Sequence, residues 1–143
     1  MNAIEHALNR VPQIDGMIGA VLVEATTGHV VGALHVGNPD GSPDGRAGDG
    51  DHRDTADSTD SASAVLAAAA TDLVHIVALL AAQQAGAGPF DELIVALRER
   101  HHIIRPLPAP EDGLFLLVTL DRRRANLALA RHQMQALESQ IVA

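Results

Sequence analysis

Apolar positions fall into two rhythms along this chain, one suited to strands and one to helices. Met17 to Ala25 carries a single polar side chain, Glu24, and is rich in aliphatic and β-branched residues. That pattern predicts a buried strand. Thr27-Gly28 is a hairpin turn signal, and His29 to Val36 reads as the returning strand. Upstream, Ala3, Ile4, Ala7, Leu8 and Val11 recur at helical spacing, so Asn2 to Val11 predicts a first helix, stopped by Pro12. Asp15-Gly16 then turns the chain into the first strand.

The rhythm returns after a break. Ser61 or Ser63 can cap a helix running to about Gln84, with Gly86 closing it. Two apolar stripes run along it: Leu66, Ala70, Leu73, Val77 and Leu80, then Val65, Ala69, Ile76 and Leu79. A helix on the surface of a monomer needs one such stripe, whereas a helix apolar on two sides is covered on two sides. One face is expected on the sheet, and a partner subunit is the simplest cover for the other. Asp91 to Arg98 and His102 to Leu107 read as strands, the latter ended by Pro106, Pro108 and Pro110. Glu111-Asp112-Gly113 turns into Leu114 to Leu120, a clean buried strand. A last helix is expected from about Arg124 to Ile141, with Leu127, Ala130, Met134, Leu137 and Ile141 on one face. The order is α-β-β-α-β-β-β-α, which predicts an α/β (α+β) domain: a five-stranded, mainly antiparallel sheet with helices on its faces.

Composition narrows the function. At 143 residues the chain is read as one domain, and it can bury a core without metal or disulfide. Two phenylalanines, Phe90 and Phe115, are its only aromatic side chains, too few for the platforms on which bases stack. The formal charge of −8 argues against nucleic acid as well. Gly37 to Asp60 is rich in Gly, Pro, Asp and Ser, with almost nothing to bury, and is expected to be a flexible acidic loop inserted between the second strand and the central helix. Its seven aspartates against two arginines carry −5 of the total, so the folded body is nearly neutral. No cysteine is present, which fits a reducing cytoplasm. The apolar stretch Ala62 to Ala82, interrupted by Thr71, Asp72 and His75, is expected to fall short of a membrane span.

Candidate chemistry changes the picture little. All ten basic residues are arginines, so a phosphate-binding loop ending in Gly-Lys-Ser/Thr cannot exist here. No Gly-x-Ser-x-Gly nucleophile turn is found either. A calcium loop begun at Asp49 would place Arg53 and Asp54 where an oxygen ligand and a glycine are required. His101 and His102 are adjacent on a strand, so they point to opposite faces and do not form a metal pair. His75 reads as a hydrogen-bonded interior or interface residue. Arg122, Arg123 and Arg124 form the only basic run. It is read first as a solvated turn, and secondly as a partner-binding cluster that could lend charge to a GTPase.

The order of elements and its local words resemble the Roadblock/dynein light-chain family. The likeness rests on Ile14-Asp15-Gly16, Gly19-Ala20-Val21-Leu22-Val23, Thr27-Gly28, the long central helix, and Leu114-Phe-Leu-Leu-Val-Thr-Leu120 before the last helix. It covers all but Gly37 to Asp60, and implies a Roadblock (profilin-like) sandwich without catalytic residues or cofactors. It further implies a dimer through the central helices and the edge strand near Asp91, which places Val65, Leu66, Ala69, Leu73, Ile76, Leu80 and Leu93 at the interface. As partner it implies a Ras-like small GTPase or a cytoplasmic signalling complex, as for bacterial Roadblock-domain proteins. The competing expectation is a small-ligand sensor module, which requires a cavity with convergent polar groups.

Overall fold

The central strand of the sheet carries seven consecutive residues, Leu114 to Leu120, of which six are buried. An antiparallel strand with one wet face would alternate; an unbroken buried run requires cover on both sides. The computed structural model describes residues 14–35, 54–84, 90–107 and 113–142, and supplies that cover. Its elements are β1 (Met17–Glu24), β2 (Val30–His35), α1 (Asp54–Ala82), β3 (Leu93–Ala96), β4 (Arg100–Pro106), β5 (Leu114–Asp121) and α2 (Leu127–Val142). The strands form one sheet in the order β2-β1-β5-β4-β3, with every neighbouring pair antiparallel.

Each face of the sheet has its own core. On one, α2 contributes Ala130, Met134 and Leu137 to a cluster with Met17, Ala20, Leu22, Ile103, Leu116 and Val118. On the other, α1 contributes Ala67, Ala70 and Val74 against Val21, Val23, Ile104, Phe115 and Leu117. The buried Leu and Phe side chains each contribute on the order of 2 kcal/mol by removal from water. The five-stranded sheet with helices on its faces is therefore as expected from the sequence.

Several boundaries are not. The first helix, Asn2 to Val11, lies outside the described residues, as do the Glu111-Asp112 turn and positions 37–53 of the acidic loop. Positions 54–60, expected to belong to that loop, are helical, because α1 begins at Asp54, seven residues before Ser61. Gly50 is the last helix breaker before Gly86, so nothing in the backbone forbids the extension. β3 is shorter than Asp91 to Arg98, because Leu97 already belongs to the turn, donating its N–H to Arg100 O at 2.8 Å. The last helix starts at Leu127 instead of Arg124. Asn126 caps it, with its Oδ1 accepting the Leu129 N–H at 3.1 Å and its carbonyl the Ala130 N–H at 2.9 Å.

The Ile14-Asp15-Gly16 word has a structural reason. The Asp15 carboxylate accepts the Asn126 N–H at 2.6 Å, and the Asp15 N–H donates to Gln133 Oε1 at 2.8 Å. Gly16 has φ of +69°, and its carbonyl accepts the Asp121 N–H at 2.8 Å. The turn before β1 is thus the seat of the last helix.

Candidate functional site

The buried residues of α1 are small, while most of its large apolar side chains face outward. Ala67, Ala70, Thr71 and Val74 are buried, whereas Val65 is 69% exposed, Ile76 62%, and Leu79 and Leu80 67% each. Alanines at the sheet permit a close approach of helix to strands. One polar contact lies within the helix, and a second ties it to the β1–β2 turn. Thr71 donates its hydroxyl to Ala67 O at 2.7 Å, and His75 Nε2 donates to Ala25 O at 2.7 Å. His75 is therefore hydrogen-bonded to the β1–β2 turn. In the same turn Gly28 has φ of +75°, and a Cβ there would lie 3.2 Å from Thr71 Oγ1.

Of the residues placed at an interface from the sequence, Val65, Ala69, Leu73, Ile76 and Leu80 are exposed on α1. Leu66 and Leu93 are half-buried against the chain's own core with Val30 and Phe90. The two sequence stripes are thus divided differently from their spacing: Leu66 and Ala70 turn inward, while Leu73 and Leu80 of the same stripe turn outward. Ser61–Ala82 also has the length and apolarity to cross a membrane, with a mean hydropathy of 2.1, which corrects the expectation that it falls short. A single charged residue, Asp72, interrupts it, and that is too little to bring the mean below what a span requires.

Arg122, Arg123 and Arg124 occupy the exposed turn between β5 and α2. The Asn126 cap keeps them ahead of the helix, so they sit outside its first turn. Arg122 donates its N–H to Glu99 O at 3.0 Å and its Nη1 to Leu97 O at 2.9 Å. These bonds join the β5–α2 turn to the β3–β4 turn. The Arg123 N–H donates to Asp121 Oδ1 at 3.0 Å.

Sequence reading missed a charged network on the α2 face. Glu92, just before β3, meets Arg105 Nη1 at 2.7 Å and Arg131 Nε at 2.6 Å, while Arg105 Nε meets Glu138 at 2.8 Å. Burial alone would lower the Arg105 pKa, but its hydrogen bonds to Glu138 and Glu92 outweigh that and raise it. Single charges 46 residues apart along the chain leave no signal in sequence; their pairing ties α2 to the sheet edge. On the α1 face, His102 Nδ1 lies 2.9 Å from Thr119 Oγ1. Burial, and secondarily the positive charge of Arg100, push the His102 pKa below its ordinary value. His101 lies on the opposite face, opposite Leu120, as alternation requires. No cluster of three or more His, Asp or Glu able to hold a metal occurs among the described residues.

A half-open cleft of about 250 Å³ lies between α1 and the sheet, with Ile18, Leu66, Ser63, Thr119 and Arg100 among its walls. It is smaller than the roughly 300–1,000 Å³ of typical ligand pockets.

No family model matches the sequence, and no curated protein matches it. Solved structures do match its fold. Myxococcus xanthus MglB has a TM-score of 0.69 at 13% identity, over 99% of this chain and 93% of that one. The gliding protein MglB from Thermus thermophilus gives 0.69 at 15%, over 97% and 84%. A Roadblock/LC7 domain from Streptomyces avermitilis gives 0.66 at 16%, over 93% and 88%. Identities this low carry information on architecture alone, and on that ground the chain has the Roadblock/LC7 fold.

Proposed function

We propose that this chain is a non-catalytic cytoplasmic adaptor that dimerises through α1 and holds a Ras-like small GTPase or another signalling partner. The observation that carries the reading is the outward face of α1. Val65, Ile76, Leu79 and Leu80 leave large apolar side chains exposed around Asp72, on a helix whose inner face is already satisfied by the sheet. A second copy offers the same surface, and a twofold interface is self-complementary. Insertion of this helix in a membrane would require stripping Ala67, Ala70 and Val74 from the core and breaking the His75 bond to Ala25. Docking with the fold intact has no such cost.

The GTPase comes from the resemblance to Roadblock proteins, among whose fold relatives is MglB, a gliding protein. The competing sensor reading is less well supported, because the cleft beside α1 is small.

Two measurements test the proposal. Light scattering should report a dimer for the native chain and a monomer, or insoluble protein, for Ile76→Asp and Leu73→Asp; two variants that remain dimeric would place the interface elsewhere. Affinity capture from the source cell's lysate, with GDP and with a non-hydrolysable GTP analogue, should recover a small GTPase in a nucleotide-dependent way. Its absence under both conditions would leave the fold without the GTPase role.

A further inference from the structure

Five of the chain's ten arginines gather at one end of the sheet, although they come from two separate stretches of sequence. Arg98 lies in the β3–β4 turn and Arg100 at the start of β4; Arg122, Arg123 and Arg124 belong to the β5–α2 turn, and all five are exposed. The register pairs Arg100 with Asp121 across β4 and β5, which sets the two turns side by side. Two hydrogen bonds from Arg122, to Glu99 O and Leu97 O, then fasten them together. Arg122 is therefore the strut of this surface, and Arg98, Arg100, Arg123 and Arg124 are its presented charges. None of the four makes an ion pair with a carboxylate among the described residues. The acids in the same two turns are Glu99 and Asp121, and one oxygen of Asp121 is already engaged by the Arg123 N–H.

We propose that this end of the sheet is a docking surface for a carboxylate-rich protein segment carrying an apolar side chain. Three features favour that occupant. Arginine forks match carboxylates in a bidentate plane, which a compact ammonium does not. Leu97, 48% exposed in the β3–β4 turn, provides an apolar contact among the cations, and arginine is among the residues enriched at interface hot spots. The chain carries a net −8, so an extended anionic membrane meets net repulsion, while a local acidic segment would feel only this end. Arg100 also walls the cleft beside Ser63 and Leu66, so the surface borders α1 at that corner.

The test uses the full chain and a fluorescent peptide alternating glutamate with leucine, its glutamine counterpart, and phosphatidylglycerol–phosphatidylcholine vesicles. Anisotropy should show salt-sensitive binding of the glutamate peptide and none of the glutamine one. Arg98→Gln/Arg100→Gln and Arg123→Gln/Arg124→Gln should each weaken it about fivefold to tenfold, as loss of two exposed ion pairs implies. Circular dichroism melting should stay at the native value in both variants. Failure to bind the glutamate peptide, binding unaltered in both variants, or sedimentation with vesicles in preference to the peptide would each overturn the proposal.

Discussion

A Cβ placed on Gly16 would lie 2.5 Å from the Cβ of Ala125, inside any tolerable contact. The turn before β1 and the residue before the α2 cap are thus fitted against each other with no room for a side chain. Gly16→Ala should cost about 2–4 kcal/mol, from the positive φ and from the overlap together. Urea unfolding monitored by circular dichroism measures it, and a loss below about 1 kcal/mol would mean that the turn yields.

Asp15→Ala tests the same seat from its polar side. It removes the carboxylate that accepts the Asn126 N–H at 2.6 Å. A loss of about 1–2 kcal/mol is expected, since the bond is charge-assisted and sits at a helix start. Hydrogen exchange should quicken first at the N-terminal turn of α2; uniform quickening across the sheet would contradict a local role.

Arg105→Ala leaves Glu138 without its partner and Glu92 with Arg131 alone. Loss of about 3 kcal/mol is expected from stranding partly buried carboxylates. Arg105→Met combined with Glu138→Leu should recover part of it, because apolar replacements remove the unpaired charge along with the pair. A double variant no more stable than the single one would show that shape, not charge, holds α2 there.

His102 gives the fold a pH dependence. Burial and the Arg100 charge keep its folded pKa below the ordinary value of 6.5, so the unfolded chain takes up a proton that the folded chain resists. The stability associated with a neutral His102 is complete above the unfolded pKa and is lost as the pH falls from there toward the folded pKa. Arg100→Gln should raise the His102 pKa, seen by NMR titration of the ring, and narrow that window. An unchanged titration would assign the whole shift to burial.

The sequence announces the sheet, and the reason is chemical. Runs such as Leu114 to Leu120 have no amphipathic alternative, and the words at Asp15-Gly16 and Thr27-Gly28 specify turns that only glycine permits. The orientation of α1 is another matter. A helix built from alanine and leucine on all sides gives periodicity no polar face to exclude, so Leu66 and Leu80 share a stripe in sequence and part company in space. Size does not settle it either, because Ala67 and Ala70 face the strands while Ala68 and Ala69 between them are exposed. The run Arg122 to Arg124 is legible as a cluster, but Arg98 and Arg100 join it only through strand register, which is a property of the fold.

The outward placement of most large apolar side chains on α1 also bears on how the protein behaves when diluted. The hydrophobic stabilisation of an ordinary helix is internal to one molecule, and its melting temperature does not depend on concentration. Here the bulkiest side chains of the helix contribute only when a second surface covers them. Under the dimer proposal, thermal stability becomes a mass-action quantity. Tenfold dilution should lower the melting temperature of the native chain and leave that of Ile76→Asp where it was. Cellular abundance would then regulate how much folded protein there is, through a helix whose Ile76, Leu79 and Leu80 gain cover only from a partner.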